Sequence, residues 1–442
     1  MVKNVQATCP PGHLTAKDTA IASLGPAKIP SPLHFGQFVA DDAKVQVYIT
    51  PEDMVRSGGR PVYFEEAGPR EKLYFDPSKT KCAVVTCGGL CPGLNDVIRA
   101  IVMDAHFNYK VSSVLGVRYG LQGFIPSYGH SLVELTPRTV SNIHEFGGTI
   151  LASSRGPQEP SAIVDFLERM NISALFMIGG DGTMKAALSV VEEIKARNRR
   201  IAVIGIPKTI DNDIDFVPRS FGFDTAVDKA CEAIRCAHVE AQGVPYGIGL
   251  VKLMGRESGY IAAQAALALK EVNYVLVPED PFDLDGDMGF LAVLEKRLRA
   301  RGHAVVVCAE GAGQDLVQAE NAKDPSGNVV LGDIAGLLRR RVAEFFKGRL
   351  DITLKYIDPS YIIRSIPANS NDRIYCGFLG QNAVHAAMAG KTGMVVSRWN
   401  SHSVHIPMSL VTRQRKKINT QSNFWRAVLE STGQPRFLRN PA

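Results

Sequence analysis

Asp211 and Asp213 stand two residues apart in Ile-Pro-Lys-Thr-Ile-Asp-Asn-Asp-Ile, residues 206–214, with Lys208 and Thr209 just ahead of them. Two carboxylates crowded beside a lysine are costly to assemble without a chemical task. One of them suits a general base toward a hydroxyl, and the other can orient the lysine or organise metal-bound water. Capping a helix is the competing structural use of the same cluster.

Two more stretches carry chemistry of the same kind. In Ile-Gly-Gly-Asp-Gly-Thr-Met-Lys-Ala-Ala, residues 178–187, a strand delivers Gly180, Asp181 and Gly182, and a helix begins with Thr183 near its cap. A carboxylate there can hold Mg2+ while backbone amides meet phosphate oxygens. The stretch from Val85 to Arg99 follows a β-branched run, places Gly88 and Gly89 at the strand end, and starts a helical pattern at about Leu94. That order points free N–H groups at a phosphate. Cys87 and Cys91 in the same stretch could form half of a zinc clip, but no second Cys/His pair lies at suitable spacing, and His402 and His405 are isolated. Both cysteines are therefore expected to be structural. Gly390-Lys391-Thr392 imitates the end of a Walker loop, but His385 occupies the position where that loop needs glycine.

Elements must hold these loops side by side. From Cys82 onward, short β-branched runs alternate with helical patterns: 82–87, 113–117, 174–180, 201–207, 247–255, 274–279 and 303–311. This rhythm predicts βαβ units and parallel sheets, with ligands beyond the carboxyl ends of the strands. A chain of 442 residues exceeds the ~250–300 at which single cores stop growing. The expectation is an α/β protein of two Rossmann-like lobes with mainly parallel sheets and a cleft between them. Residues 1–80, rich in Pro and Gly, read as an N-terminal extension wrapping the core. The nucleotide-binding lobe is expected at 81–222 plus about 363–405, and the other lobe at 223–362 plus about 406–442.

Bulk properties exclude several classes. Charged residues are 21% of the chain and the formal charge is only +6. The densest basic run, Arg413 to Lys417, is short and lacks interleaved aromatics, so it reads as a solvated face rather than a nucleic-acid patch. No apolar run approaches the ~20 residues of a membrane span, and eight scattered cysteines suggest a reducing, cytoplasmic setting.

Five motifs in order, Gly-Gly-Leu-Cys-Pro-Gly-Leu-Asn-Asp, Gly-Gly-Asp-Gly-Thr, Pro-Lys-Thr-Ile-Asp-Asn-Asp, Met-Gly-Arg-Glu-Ser-Gly and Tyr-Ile-Ile-Arg, resemble the phosphofructokinases from about residue 65 to the C-terminus. Segments 67–75, 238–243 and 355–364 look like the plant-like and trypanosomatid ATP-dependent branch. The resemblance implies transfer of the ATP γ-phosphate to the 1-hydroxyl of fructose 6-phosphate by an allosteric glycolytic enzyme. It assigns Gly88, Gly89, Arg155, Gly156, Gly180, Gly182 and Thr183 to the nucleotide and Asp181 to Mg2+. Thr209 and Asp211 meet the sugar, Asp211 as the base, with Asp213 supporting it and the metal. Met254, Gly255, Arg256, Glu310, Lys355, Tyr361 and Arg364 complete the sugar site, Arg256 also serving the chemistry.

Donor choice turns on two residues. Gly182 leaves room for a nucleotide α-phosphate where pyrophosphate-using relatives carry aspartate, whereas Lys208 is the residue of pyrophosphate users; the plant-like ATP branch combines both, which favours ATP. Gly247 and Lys355 stand where bacterial relatives place arginines contributed across a subunit contact, and the resemblance implies a homo-oligomer, with a tetramer favoured. A pyrophosphate-dependent enzyme and a non-catalytic regulatory subunit are the alternatives; a lipid or NAD kinase would share only Gly-Gly-Asp-Gly-Thr.

Overall fold

The computed structural model describes residues 14–317 and 329–441. Cys9 and the first part of the extension lie outside the described residues.

Apolar β-branched runs buried on both faces form the centre of each sheet, as parallel sheets require. Five strands run parallel at the middle of a nine-stranded sheet, in the order Met394–Trp399, Ala202–Pro207, Ala174–Gly179, Lys81–Thr86 and Ser113–Val117. His402–Pro407, Tyr63–Glu66 and Lys44–Gln46 extend one edge antiparallel, and Val133–Glu134 closes the other. Residues 44–46 and 63–66, within the segment read as an extension, are thus part of this sheet. A second sheet has four parallel strands in the order Tyr274–Leu276, His303–Ala309, Gly247–Leu253 and Thr353–Ile357.

The Lys81–Thr86 strand lies between Ser113–Val117 on one side and Ala174–Gly179 on the other. The winding of the chain therefore reverses at this strand, and a crevice opens beyond its carboxyl end. Register then decides which loops meet. Thr86 pairs with Ile178 and Pro207 with Gly179, so the loops after these three strands begin at one level. In the smaller sheet Leu253 pairs with Ala309 and Val251 with Ile357, which aligns the loops beginning at Met254, Glu310 and Asp358.

Helix Leu94–Met103 packs closely on Ser370–Met388. A Cβ at Gly380 would stand 2.5 Å from that of Ala100, so only glycine permits this approach. The antiparallel edge is fastened by Glu65, which accepts from Nδ1 of His405 and Nζ of Lys391, each at 2.9 Å. Lys391, read above as a Walker imitation, lies in a two-residue strand paired with Ala22–Ser23.

Candidate active site

Each functional loop inherits its position from the strand before it. After Lys81–Thr86, Gly88 adopts φ +80°, a conformation open to glycine at little cost. Its N–H donates to the Ser154 carbonyl at 3.2 Å and its carbonyl accepts the Ser153 hydroxyl at 2.7 Å. The segment bearing Arg155 and Gly156 is thereby tied to the glycine loop. Lys208, buried, reaches from the third loop and donates to the Gly89 carbonyl at 2.6 Å. Desolvation lowers the Lys208 pKa, with neighbouring thiols and Asp211 pulling it back.

Asp181 opens helix Asp181–Ala196, directly after Gly180. Its carboxylate accepts from Lys185 at 2.8 Å, one helical turn on. A Cβ built on Gly182 would meet nothing within 4 Å, so this first turn faces open space, while Thr183 is buried.

In the third loop the Thr209 hydroxyl donates to Asp213 Oδ1 at 2.7 Å and accepts the Asp211 N–H at 3.2 Å. Asp213 Oδ2 accepts from Arg415 at 2.8 Å. Asp211 is different: its Oδ1 is buried and has no hydrogen-bond partner among the described residues. Burial pushes its pKa up to about 7, the charges of Asp213 and Glu310 add to the rise, and the Arg256 N–H and Arg415 oppose it. A carboxyl that shares protons at neutral pH is what a general base requires.

The smaller sheet supplies a cationic cluster. Glu310, at the end of His303–Ala309, has its pKa raised by burial and held back by Arg256, Lys252 and Arg364. Lys252, absent from the candidates, pairs with Asp358 at 2.8 Å. Arg256 donates to the Val329 carbonyl at 2.5 Å. Gly255 takes φ +136° and Met254 packs against the core. Arg364 lies over the Tyr361 ring at 4.8 Å, and its Nη1 comes within 3.7 Å of where a Gly89 Cβ would stand. This guanidinium therefore spans from the smaller sheet to the glycine loop. Tyr361 itself is exposed. Lys355 faces Glu240 at 3.7 Å on a neighbouring helix, and no contact joins it to the Arg256 cluster among the described residues.

Cys87 and Cys91 are buried, with pKa values pushed up to about 12 by desolvation, and the Cys91 thiol donates to the Phe221 carbonyl at 3.2 Å. They pack as small apolar groups. The basic run 413–417, in contrast, is a solvated face only in part: Arg413, Gln414 and Lys417 are exposed, but Arg415 bonds Asp213 and its Nη2 stands 4.0 Å from Asp181 Oδ2. A run of cations gives no sign in sequence of a carboxylate partner about two hundred positions away.

Hard oxygen donors suit Mg2+, which takes one or two carboxylates and completes its shell with water and substrate phosphates. Asp181 and Asp213 face one guanidinium from two strand ends, so they offer that donor set. No group of three metal-ligating side chains occurs among the described residues.

Residues 81–387 match the phosphofructokinase family. An ATP-dependent 6-phosphofructokinase from Borreliella burgdorferi is 49% identical over 438 residues, covering 96% of this chain and 98% of that protein. ATP-dependent 6-phosphofructokinase 1 of Arabidopsis thaliana is 45% identical over 404 residues, covering 90% and 84%. Among solved structures, the pyrophosphate-dependent phosphofructokinase from Marinobacter aquaeolei superposes with a TM-score of 0.66 at 22% identity, covering 80% of this chain and 91% of that one. With this family match, these relatives and the three strand-end loops in place, the chain belongs to the phosphofructokinase family.

Proposed function

We propose that this chain transfers the γ-phosphoryl group of ATP to the 1-hydroxyl of fructose 6-phosphate, giving fructose 1,6-bisphosphate and ADP. The observation that carries this reading is the buried, unpartnered Oδ1 of Asp211 where the three strand-end loops meet. Asp211 takes the proton from the 1-hydroxyl as that oxygen attacks phosphorus. Thr209 fixes the backbone of Asp211 and holds Asp213. Bound at Asp181 and Asp213, Mg2+ would neutralise charge on the polyphosphate.

Gly88, Gly89, Arg155, Gly156, Gly180, Gly182 and Thr183 hold the nucleotide in this reading. Lys208 braces the glycine loop, and open space at Gly182 leaves room for the α-phosphate. Arg256 and Arg364, with Met254, Gly255, Glu310 and Tyr361, receive the sugar phosphate, because guanidinium groups match phosphate geometry. Lys355 belongs to this set only through a neighbouring copy of the chain, since here it faces Glu240. The same reading makes the enzyme a cytoplasmic, allosteric homo-oligomer with a tetramer favoured; six of the seven described cysteines are buried and all seven are unpaired, in keeping with a reducing compartment.

Phosphorylation of fructose 6-phosphate with Mg-ATP and, separately, with Mg-pyrophosphate tests the reading. Turnover with ATP alone is expected. Turnover with pyrophosphate alone would transfer the donor assignment from Gly182 to Lys208, and turnover with neither would favour a regulatory subunit.

A further inference from the structure

Residues 413–417 form a strap across the catalytic loop, and every one of the five is anchored. Arg413 pairs with Asp18 at 2.5 Å and the Gln414 amide donates to Asp215 at 2.9 Å. Arg415 forms a backbone bridge with Ile214, and the Lys416 N–H donates to the Asp213 carbonyl at 2.9 Å. The Lys416 ammonium donates to the carbonyls of Val217 and Pro218, and Lys417 faces Glu257 at 3.7 Å. Register thus fixes which strap residue looks into the site. It is Arg415, about three-tenths exposed, whose two terminal nitrogens face Asp213 at 2.8 Å and Asp181 at 4.0 Å.

These are the two carboxylates that offer oxygens to a divalent cation. Asp213 has its other oxygen committed to Thr209, and the second partner of Asp181 Oδ2 is Lys185. A monovalent guanidinium therefore already lies between the two carboxylates and offsets part of their charge. A divalent ion arriving alone would have to displace that guanidinium and meet its repulsion; an ion arriving with polyphosphate brings negative charge onto which the guanidinium can move.

We propose that Arg415 is a positioning residue and internal counter-cation of the phosphoryl-transfer site. It holds Asp213 in place while metal is absent and makes loading of the metal depend on the nucleotide. This rests on the reading of Asp181 as a metal ligand. The reciprocal consequence is that Arg415 weakens binding of free metal and strengthens the preference for the metal–nucleotide complex.

The test is titration of the full-length protein with MnCl2 alone, followed by electron paramagnetic resonance of free Mn2+, for the parent, Arg415→Met, Arg415→Lys, Gln414→Ala and Asp181→Asn. Arg415→Met is expected to bind Mn2+ at least ~5-fold more tightly, the lower end of ordinary coupling between sites. Arg415→Lys, which keeps the charge, is expected to stay near the parent, and Gln414→Ala, which loosens the strap without touching the charge, to match the parent. Thermal unfolding identifies any variant that has failed to fold, and Arg415→Lys then carries the comparison with Gln414→Ala through the nucleotide dependence of Mn2+ binding. Equal or weaker Mn2+ binding by folded Arg415→Met, with Asp181→Asn abolishing it, overturns the proposal and leaves the metal reading standing. An equal tightening in Gln414→Ala also overturns it, because strap loosening would then suffice. Mn2+ binding undiminished in Asp181→Asn removes the metal reading itself, and the proposal with it.

Discussion

Lys208 and Gly89 meet across 2.6 Å, ammonium to carbonyl, and so join the loop that carries the candidate base to the loop expected to hold phosphate. Removing the ammonium leaves a carbonyl without its partner, a loss of about 1–3 kcal/mol. Lys208→Met is therefore expected to raise KM for ATP roughly tenfold, the kinetic equivalent of about 1.4 kcal/mol. Steady-state kinetics with each substrate varied in turn would check it. A change confined to KM for fructose 6-phosphate would argue that Lys208 serves the sugar instead.

Asp211→Asn keeps the shape and removes the base. Its kcat should fall ~10²–10⁴-fold, the usual worth of general-base help. In the parent the carboxyl is protonated below about 7 and free to accept a proton above it. The kcat/KM for fructose 6-phosphate should accordingly rise with pH through that region. An acid limb near 4 would mean that burial does not govern this group in solution.

Gly182→Asp places a carboxylate in open space at the start of a helix, where the fold tolerates it. Beside a polyphosphate the same charge is repelled. KM for ATP is expected to rise ~100-fold, about 2.7 kcal/mol, with little change in Tm. An unaltered KM would place the α-phosphate elsewhere.

Asp104 is buried, and desolvation raises its pKa from 3.8 to about 7 against a hydrogen bond from Asn108. Between these values the folded chain keeps a proton that the unfolded chain releases, so stability falls as pH rises through this window and the loss is complete above about 7. Three units correspond to at most about 4 kcal/mol. Asp104→Asn should flatten that slope, and the difference in urea midpoint between variant and parent should grow from pH 5 to pH 8. His385 beside it, lowered to about 4 by burial, slopes the opposite way in both proteins and cancels in the difference. Parallel curves would disprove the assignment.

Strand ends were legible because their causes are local. Runs such as 174–179 and 303–309 are apolar, buried on both faces and followed at once by glycine or acid, so both the strand and its functional terminus can be read in a few residues. The same holds for Asp181, Asp211 and Glu310. Arg415 was not legible, because its meaning lies in a backbone bridge to Ile214 that no local pattern encodes. Lys252 hid for the opposite reason: inside an apolar strand it looks like an interruption, until Asp358 arrives from the neighbouring strand's end. Strands 44–46 and 63–66 are short and belong to the sheet only through pairing, 63–66 with 402–407 and 44–46 with 63–66.

That last pairing has a temporal meaning. Glu65 and His405 are 340 positions apart, yet they fasten the same edge of the larger sheet. Translation delivers one partner some 340 residues before the other, so the pair formed by strands 44–46 and 63–66 must wait for its place in the sheet until 402–407 emerges. Such long-range closure is slow and exposes strand edges in the meantime. The edge is thus the last part of the large sheet to be completed, and its strand edge stays open until then.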